Sequence, residues 1–404
     1  MVIILFDTNE RQNLYPLTEI RAVSALRCGI FSAKERWEMI SGLPVFVQTE
    51  GYLMRLYDQI PQDEYLWIDA SLWDEPSLRA QILSLQTGEA LEDEHGFIAG
   101  RITCEAGEFD YRQPEKFFSK LTSVENARRL QFPWQIFQWN DEQLRKDFLL
   151  IFSRLTSQPI STTNQIVQPE NIIAEEGAVV EHCIINGSTG PVYIGKNAVV
   201  MEGTMIRGPV AICEGAVVKM GARLYGATTI GPYCIAGGEI KNSVMQSFSN
   251  KAHDGYLGDS VIGSWCNLGA GTSNSNIKNT AGQVNVWHNR SGEYVSIGAK
   301  CGVIMGDYSR TAINTSINTG SVIGVCCSLF GEGFPPRHIR NFNWGFQTPT
   351  PYELEKALID MNNWQKLKGK ELTEEEVSVL RYIFELDLKK AKGTRRRAVS
   401  SRTN

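Results

Sequence analysis

One histidine in a polar segment is the residue of this chain best suited to acid–base chemistry. His253 stands beside Asp254, and Tyr256 follows three residues after the histidine. An imidazole has an ordinary pKa of about 6.5, so it can accept a proton from a reacting group near neutral pH. We therefore treat His253 as a candidate general base. The alternative is an exposed loop histidine with no chemical role.

A carboxylate that follows an apolar strand is the second candidate. Residues 65–68 have the length and composition of a buried strand, and Asp69 comes directly after them. In α/β sheets, ligand-binding groups collect at the carboxyl ends of the strands. Carboxylate oxygens are preferred ligands of Mg²⁺, so Asp69 is a candidate metal ligand. A structural charge is the other interpretation.

The elements around Asp69 alternate between strand and helix. Apolar runs of strand length occupy residues 2–6, 45–48 and 65–68, and helical periodicity covers residues 22–40 and 76–85. This βαβ rhythm predicts a mostly parallel sheet covered by helices, an α/β domain.

A bridging helix and a turn-rich boundary follow the α/β domain. Residues 134–152 are amphipathic with helical periodicity, and residues 157–163 are rich in turn-forming side chains. We therefore place the first domain, with its linker helix, at residues 1–160.

Aliphatic residues recur every six positions in the middle of the chain. A helix has a period of 3.6 residues and a strand a period of two, so neither gives this pattern. A left-handed parallel β-helix built from hexapeptide repeats does, because each short face of a coil points one aliphatic side chain inward. This all-β fold is predicted for residues 161–330. Seven consecutive positions share one register: Ile194, Val200, Ile206, Ile212, Val218, Leu224 and Ile230.

The six-residue pattern lapses over residues 242–254. We expect a loop that projects from the β-helix there, and loops on a rigid scaffold commonly carry binding residues. His253 lies within this segment.

The last segment, residues 331–404, reads as helical with a basic tail. Residues 351–367 are predicted to form a helix, and Thr373 with Glu376 forms the sequence pattern of a capping box that opens a second helix. We expect these helices to cap the open edge of the β-helix. The tail contains Arg395, Arg396 and Arg397.

Composition excludes several classes of protein. The net charge of -5 and the pI of about 5.7 argue against nucleic-acid binding. Nine cysteines without a CxxC pair argue against a disulfide framework or a zinc ribbon. No apolar run approaches the roughly 18 residues of a membrane span, and the N-terminal residues lack a basic leader, so a cytoplasmic location is expected.

The stretch around His253 resembles the acetyltransferase half of the bifunctional GlmU family. The resemblance rests on NKAHDGYLGD at residues 250–259, NLGAGT at 267–272 and NSN at 274–276. It implies acetyl-CoA-dependent N-acetylation of glucosamine-1-phosphate, coupled to uridylyl transfer from UTP that gives UDP-N-acetylglucosamine. It also implies a homotrimer with active sites between neighbouring β-helices.

The resemblance assigns roles to individual residues. His253 is the implied catalytic base, and the phosphate is implied to lie on Lys241 and on either Lys219 or Arg223. Substrate contacts are implied for Tyr256, Asn267 and Asn276. For the two asparagines, an asparagine ladder or corner turn of the β-helix is the alternative.

The N-terminal half resembles the sugar nucleotidyltransferases less closely. LYPLT at residues 14–18 is intact and Arg11 precedes it, but the glycines of the family's phosphate-binding loop are absent. Arg11 is the candidate contact for a nucleotide phosphate, and a structural surface charge is the other interpretation. The whole arrangement looks like a divergent GlmU-like branch known from Bacteroidetes-type bacteria.

Three other functions are compatible with parts of the sequence. A β-helix zinc hydratase would use histidines across a trimer interface, and His182, His253 and His288 lie in the relevant region, although their spacing fits no HxxxxH pair. A nucleotidyltransferase could use its β-helix for assembly alone or to acylate another sugar. A non-catalytic scaffold would leave the His253 segment without a role.

Overall fold

A six-stranded mixed sheet forms the core of the N-terminal half. A computed structural model describes residues 1–104, 107–348 and 350–400, with side chains described up to residue 389. The strands are β1 (Val2–Phe6), β2 (Val45–Gln48), β3 (Glu64–Asp69), β4 (Glu89–Asp93), β5 (Gly96–Thr103) and β6 (Lys120–Ser123). Their order is β2-β1-β3-β5-β4-β6.

Only strand β5 runs opposite to its neighbours, and β4 pairs in parallel with β6. Strand β1 pairs in parallel with β2 and β3, whereas β5 runs antiparallel to both β3 and β4. The prediction of a mostly parallel sheet is therefore confirmed, and the β4–β5 hairpin is the antiparallel exception. A two-residue turn at Glu94 and His95 joins these strands, and such a short connection allows only antiparallel pairing.

Three helices flank this sheet. They are α1 (Ala33–Ser41), α2 (Pro76–Ser84) and α3 (Gln135–Phe152). The sequence predicts a helix over residues 22–40, but α1 begins eleven residues later, at Ala33. The reason is a capping box between Ser32 and Glu35, which fixes the start of the helix there. Short 3₁₀ helices cover Asn9–Leu14, Val23–Ala25, Met54–Leu56, Pro114–Lys116 and Pro169–Asn171.

A parallel β-helix follows, as the six-residue period predicts. Its early strands are β7 (Gln165–Val167), β8 (Ile172–Ala174), β9 (Val179–Val180), β10 (Ile184–Asn186), β11 (Val192–Ile194), β12 (Val199–Val200), β13 (Met205–Arg207), β14 (Val210–Ile212), β15 (Val217–Val218), β16 (Arg223–Tyr225), β17 (Thr228–Ile230), β18 (Ile235–Ala236), β19 (Glu239–Lys241), β20 (Val244–Met245), β21 (Asn250–Lys251), β22 (Tyr256–Gly258), β23 (Val261–Ile262), β24 (Asn267–Leu268) and β25 (Ser273–Asn274). Every third strand joins the same parallel ladder, so the coils stack directly on one another.

The inward positions of the coils form the largest apolar cluster of the molecule. In the ladder that contains β13 and β16, the middle residue of each strand, such as Ile206 or Leu224, is buried and its two neighbours face outward. In the ladder that contains β11 and β14, the first and last residues of each strand point inward instead. Neighbouring coils bury one another's apolar side chains, so the coils are stable only as a stack.

The projecting segment is not the one that the sequence predicts. Residues 242–254 contain β20 and β21, which continue two ladders in a shortened coil. The true projection is an antiparallel hairpin, β26 (Asn285–His288) and β27 (Glu293–Ser296). The lapse of the six-residue period reflects a coil with fewer corner residues, which single-sequence periodicity cannot distinguish from an inserted loop.

The hairpin packs against the N-terminal half. Arg290 forms an ion pair with Glu10 at 2.6 Å, and Val284 and Val286 share an apolar cluster with Trp134. At a second contact, the buried side chain of Gln246 accepts from the backbone of Arg27 at 2.9 Å and donates to it at 3.0 Å. The two halves of the chain therefore form an extensive shared interface.

The β-helix continues past the predicted boundary at residue 330. Its later strands are β28 (Val303–Met305), β29 (Arg310–Thr311), β30 (Ser316–Ile317), β31 (Ser321–Ile323), β32 (Ser328–Leu329), β33 (His338–Ile339), β34 (Asn343–Trp344) and β35 (Thr350–Pro351). Strands β33 and β34 still pair in parallel with the preceding coil. Pro335 and Pro336 occupy a turn between two coils rather than the end of the fold.

The C-terminal helices lie along one corner of the β-helix. They are α4 (Leu354–Lys366) and α5 (Glu374–Ser400), and the predicted capping box of Thr373 and Glu376 is present. Both helices share an apolar cluster with the corner residues Tyr308, Cys326 and Phe342, so they lie along a corner and do not cap the open edge as predicted. Strand β35 covers the last coil instead. Arg395, Arg396 and Arg397 lie outside the residues whose side chains are described.

Candidate functional site

One outer face of the β-helix gathers several of the predicted site residues. Strands β16, β19 and β22 are adjacent, and their register places Arg223 beside Glu239 and Glu239 beside Tyr256. The same register places Lys241 between Tyr225 and Gly258. These side chains face outward because they flank the buried Leu224, Ile240 and Leu257. We call Arg223, Tyr225, Glu239, Lys241 and Tyr256 the cationic face.

Polar contacts order the part of the cationic face formed by β16 and β19. The hydroxyl of Tyr225 donates to Glu239 at 2.6 Å, and the Arg223 Nε atom lies 3.6 Å from the other oxygen of that carboxylate. The Lys241 ammonium lies 5.6 Å from the centre of the Tyr225 ring, within range of a cation–π contact. The bond to Glu239 and partial burial raise the pKa of Tyr225 to about 12. Tyr225 is therefore a neutral donor at physiological pH.

An amide–carboxylate network orders the part of the cationic face around Tyr256. Asn276 donates to the Tyr256 hydroxyl at 3.1 Å and, through the same nitrogen, to Asp259. Asn242 donates to the other oxygen of Asp259 at 2.6 Å, so this buried carboxylate has two amide partners. Burial raises the pKa of Tyr256 to about 12, and its hydroxyl keeps its proton for donation.

His253 lies in the turn between β21 and β22, at the margin of the cationic face. Its imidazole is exposed. The turn passes directly over Gly237 and Gly238 of the preceding coil: a Cβ at Gly238 would lie 2.9 Å from the His253 carbonyl oxygen. Only residues without a side chain permit that approach. The glycine pair thus allows the histidine turn to lie flat on the coil below it.

Lys219 and Asn267 lie away from the cationic face. Lys219 follows β15 at the corner that also carries Gly237, whereas Arg223 is on the cationic face itself. Asn267 belongs to a different sheet, in direct register with Asn250 and Arg310. The pairing of Asn250 with Asn267 is what an asparagine ladder would give. A ligand contact by Asn267 is equally compatible with it. Within one chain, the structure brings Arg223, Lys241, Tyr256 and Asn276 together.

Arg11 is buried in the N-terminal half and has several partners. Its side chain is 2% exposed and donates to the Thr18 carbonyl and to the Tyr52 hydroxyl, the latter at 3.2 Å. Its Nε atom lies 3.4 Å from Asp7. A nucleotide phosphate would reach this guanidinium only after these contacts rearranged, so the role of Arg11 in nucleotide binding stays a prediction.

Asp69 forms a buried ion pair. Its carboxylate is 3% exposed, lies 3.0 Å from Arg129 Nε and accepts from the Ser71 hydroxyl at 2.7 Å. Arg129 also pairs with Asp93 at 2.5 Å. Because an arginine already occupies the charge-compensating position, these residues do not fit a Mg²⁺ ion. Among the described residues, no three His, Cys, Asp or Glu side chains are grouped as metal ligands would be.

Three members of the site are absent from the sequence prediction. Tyr225, Glu239 and Asp259 bond to predicted residues, yet none of them was assigned a role. The spacing in the sequence could have identified two of them. Tyr225 lies two residues after Arg223, and Glu239 lies two residues before Lys241. Alternate residues of a strand face the same way, so both should share the cationic face.

The chain is similar to several known proteins. Residues 3–155 match the family described as sugar nucleotidyl transferase. The bifunctional sugar-1-phosphate nucleotidylyltransferase/acetyltransferase of Sulfurisphaera tokodaii is 35% identical over 186 residues, which cover 41% of this chain and 44% of that protein. The bifunctional protein GlmU of Anaplasma marginale (strain Florida) is 36% identical over 130 residues, or 32% and 27% of the two chains. Each match thus spans less than half of the relative's length.

The chain is also similar to solved structures. The UDP-N-acetylglucosamine acyltransferase of Francisella novicida covers 56% of this chain and 84% of its own, at 13% identity and a TM-score of 0.28. The UDP-N-acetylglucosamine acyltransferase of Campylobacter jejuni covers 56% and 96%, at 14% identity and a TM-score of 0.20.

The fold and the site define a two-domain class of protein: a nucleotidyltransferase-type domain followed by a parallel β-helix with a short helical C-terminus. The chain is similar to the GlmU-like family, at modest sequence identity and over part of the relatives' length. Its predicted place in a Bacteroidetes-type branch stays a prediction. No helix among the described residues is long and apolar enough to cross a membrane, and the cytoplasmic location also stays a prediction.

Proposed function

We propose that this protein transfers the acetyl group of acetyl-CoA to the amine of glucosamine-1-phosphate. The observation that carries the proposal is the placement of an exposed imidazole, His253, at the margin of a face with two cations, Arg223 and Lys241, and a tyrosine donor, Tyr256. An amino-sugar phosphate has the matching groups: an anion for the cations, hydroxyls for the donors and an amine for the base.

Each residue has a defined task in this proposal. Arg223 and Lys241 hold the phosphate by charge-assisted hydrogen bonds, and Tyr256 with Asn276 orients the sugar. His253 removes a proton from the amine, whose nitrogen then forms a bond to the thioester carbonyl carbon. The carbon–sulfur bond breaks, and the CoA sulfur leaves with the electron pair and takes up a proton. No covalent enzyme intermediate is required.

The carboxylate of Glu239 would repel a phosphate unless its negative charge were compensated. Its carboxylate lies between the two cations of the face, but the Tyr225 hydroxyl and Arg223 already compensate its charge. The net charge of Arg223, Glu239 and Lys241 stays positive, so a phosphate is still attracted. Glu239 would hold Arg223 in place before the substrate arrives.

We further propose uridylyl transfer in the N-terminal domain, giving UDP-N-acetylglucosamine. The match of residues 3–155 to the sugar nucleotidyl transferase family supports this activity. A cavity of about 470 Å³ at the carboxyl ends of β1 to β3 supports it as well. Asp7, Thr49 and Trp67 line that cavity. The arginine partner of Asp69 and the missing glycines weigh against a conventional Mg²⁺–triphosphate arrangement, so this activity needs its own test.

Exposed apolar side chains support the homotrimer implied by the resemblance. Ile184 and Met205 are 41% and 51% exposed and stand in register just before Arg223 on the same sheet. An apolar row beside the cationic face would be buried by a second β-helix. Light scattering coupled to gel filtration should give three times the chain mass.

A substrate panel tests the proposed function. Purified protein with acetyl-CoA should release free thiol fastest with glucosamine-1-phosphate. Glucosamine and glucosamine-6-phosphate, which lack the phosphate at position 1, are the matched controls and should react at least about tenfold more slowly, as expected when a charge-assisted contact is lost. Equal rates for all three acceptors, or no thiol release, would contradict the proposal.

Pyrophosphate release tests the second activity in the same preparation. UTP and N-acetylglucosamine-1-phosphate with Mg²⁺ should release pyrophosphate if the N-terminal domain transfers uridylyl groups. No release under conditions where acetyl transfer proceeds would restrict the proposed function to the β-helix.

A further inference from the structure

A lysine occupies an interior position of the β-helix. In the ladder of β15, β18 and β21, the inward residues are Val218, Ala236 and Lys251, and Leu268 of β24 follows in the next coil. Lys251 is 1% exposed, although lysine is almost never fully buried unless it is paired. The small side chain of Ala236 in the preceding coil makes room for its stem.

The partners of this ammonium are backbone carbonyls. Its Nζ atom donates to Gly237 at 3.2 Å and to the carbonyl of His253. No carboxylate lies within ion-pair distance of it among the described residues. Burial lowers the pKa of Lys251 to about 8. A buried cation of this kind destabilises the fold relative to an apolar residue of the same length. Packing alone therefore does not account for a lysine here.

The two carbonyls belong to two successive coils at the candidate site. Gly237 is the residue of the preceding coil over which the histidine turn passes, and His253 is the candidate base. One ammonium thus ties the backbone of the turn to the coil beneath it. The carbonyl group and the side chain of a residue are joined through the same Cα atom, so a fixed carbonyl restricts the direction of the Cα–Cβ bond.

We propose that Lys251 is a positioning residue that fixes the His253 turn in the geometry needed for proton removal. The proposal rests on the proposed role of His253. Lys251 does not touch the substrate: it acts from inside the β-helix, through the peptide backbone of the base. A loosened turn would misplace the imidazole, and a displacement of about 1 Å can reduce a rate by roughly a hundredfold.

The variant Lys251→Met separates this role from a structural one. Methionine keeps the unbranched stem and removes the charge, so the midpoint of thermal unfolding should stay equal or rise. We expect kcat for acetyl transfer to fall by about 10- to 100-fold, with KM for both substrates within about twofold. Leu268→Met, a volume-conserving change at the next interior position, is the matched control and should leave kcat unchanged.

Hydrogen–deuterium exchange distinguishes failure of this inference from failure of the proposed function. In Lys251→Met, amides of residues 252–255 should exchange faster while the neighbouring coils keep their protection. Unchanged kcat, or unchanged exchange at residues 252–255, would overturn the positioning role. A fall in kcat accompanied by loss of protection throughout the β-helix would overturn it too. If instead wild-type acetyl transfer does not depend on His253, the proposed function fails, and the exchange data alone decide whether Lys251 holds the turn.

Discussion

Asn276 donates a hydrogen bond to the hydroxyl of Tyr256 across 3.1 Å, although 20 residues separate the two in the sequence. The same amide nitrogen donates to the buried Asp259, which also accepts from Asn242. The carboxylate therefore fixes the amide, and the amide fixes the tyrosine oxygen. Tyr256 is held in one orientation before any substrate binds, which reduces the entropy lost on binding.

The Tyr256 hydroxyl should contribute to substrate binding in this fixed orientation. We expect Tyr256→Phe to lower kcat/KM for the sugar phosphate by about 10-fold, the size of one hydrogen bond of about 1.4 kcal/mol. The matched control is Tyr233→Phe, because Tyr233 also bonds to a carboxylate on the β-helix, Glu214, but lies at another corner. Steady-state kinetics of CoA release gives both values. A Tyr256→Phe enzyme with unchanged kcat/KM would show that the hydroxyl only packs at the rim.

The choice between Arg223 and Lys219 as phosphate ligand can be decided by a pair of variants. Arg223 shares the cationic face with Lys241, whereas Lys219 lies at a corner of the coil. We therefore expect Arg223→Met to raise KM for glucosamine-1-phosphate by roughly 10- to 100-fold, as for loss of one charge-assisted contact. Lys219→Met should change KM by less than about threefold. The reverse order of effects would place the phosphate at the corner instead.

A buried ion pair should dominate the stability of the contact between α1 and α3. Asp147 is fully buried, lies 2.8 Å from Arg36 and accepts from the Ile30 amide at 2.8 Å. Asp147→Ala leaves the Arg36 charge buried without compensation, so we expect the free energy of unfolding to fall by about 3–5 kcal/mol. Urea denaturation followed by tryptophan fluorescence measures it.

The control for Asp147 lies on the same helix. Asp141 pairs with Arg145 at 2.7 Å, but both side chains are nearly half exposed. Asp141→Ala should cost less than about 1 kcal/mol, as is usual for surface pairs. Equal losses for Asp141→Ala and Asp147→Ala would mean that the Arg36 guanidinium reaches water or another anion once Asp147 is gone.

His338 should make the fold sensitive to mild acid. Its ring stacks on Trp287 at 4.5 Å, and burial, with a smaller contribution from Arg340, lowers its pKa to about 4. In the unfolded chain a histidine titrates at about 6.5. Below that pH the unfolded chain binds a proton that the folded chain excludes, so stability is complete above about pH 6.5 and falls as the pH drops towards 4.

Unfolding midpoints measured from pH 7 to pH 4.5 test this dependence. We expect His338→Gln to remove roughly 2 kcal/mol of the acid-induced loss of stability, a value reduced for the partial exposure of the ring. His95→Gln, at an exposed position in the β4–β5 turn, should leave the pH profile unchanged. Parallel profiles for wild type and His338→Gln would show that the ring is hydrated in solution.

Periodic features of the sequence predict most of the fold. The six-residue spacing from Ile194 to Ile230 identifies the coils because each inward position repeats the same packing requirement. It fails at residues 242–254, where β20 and β21 pair normally in a shorter coil. The number of corner residues depends on how each turn packs on its neighbour, which one sequence does not reveal.

The site was only partly predictable for a related reason. His253, Lys241 and Tyr256 stand in or near a recognisable motif, and Arg223 shares a face with two of them only through the register of three strands. Asp69 and Arg11 follow local rules for ligand-binding positions, yet each has a buried ionic partner. Arg129, the partner of Asp69, is 60 residues away in the sequence, and only the tertiary fold brings them together.

The rate of acetyl transfer in a His253→Asn enzyme tests the central claim most directly. Asparagine keeps a polar side chain in the exposed turn but cannot act as a base, so kcat for CoA release should fall by about 10²- to 10⁴-fold while the unfolding midpoint stays unchanged. His182→Asn, at another exposed position of the β-helix, should retain wild-type kcat. A His253→Asn enzyme that keeps more than about a third of the wild-type kcat would contradict the account.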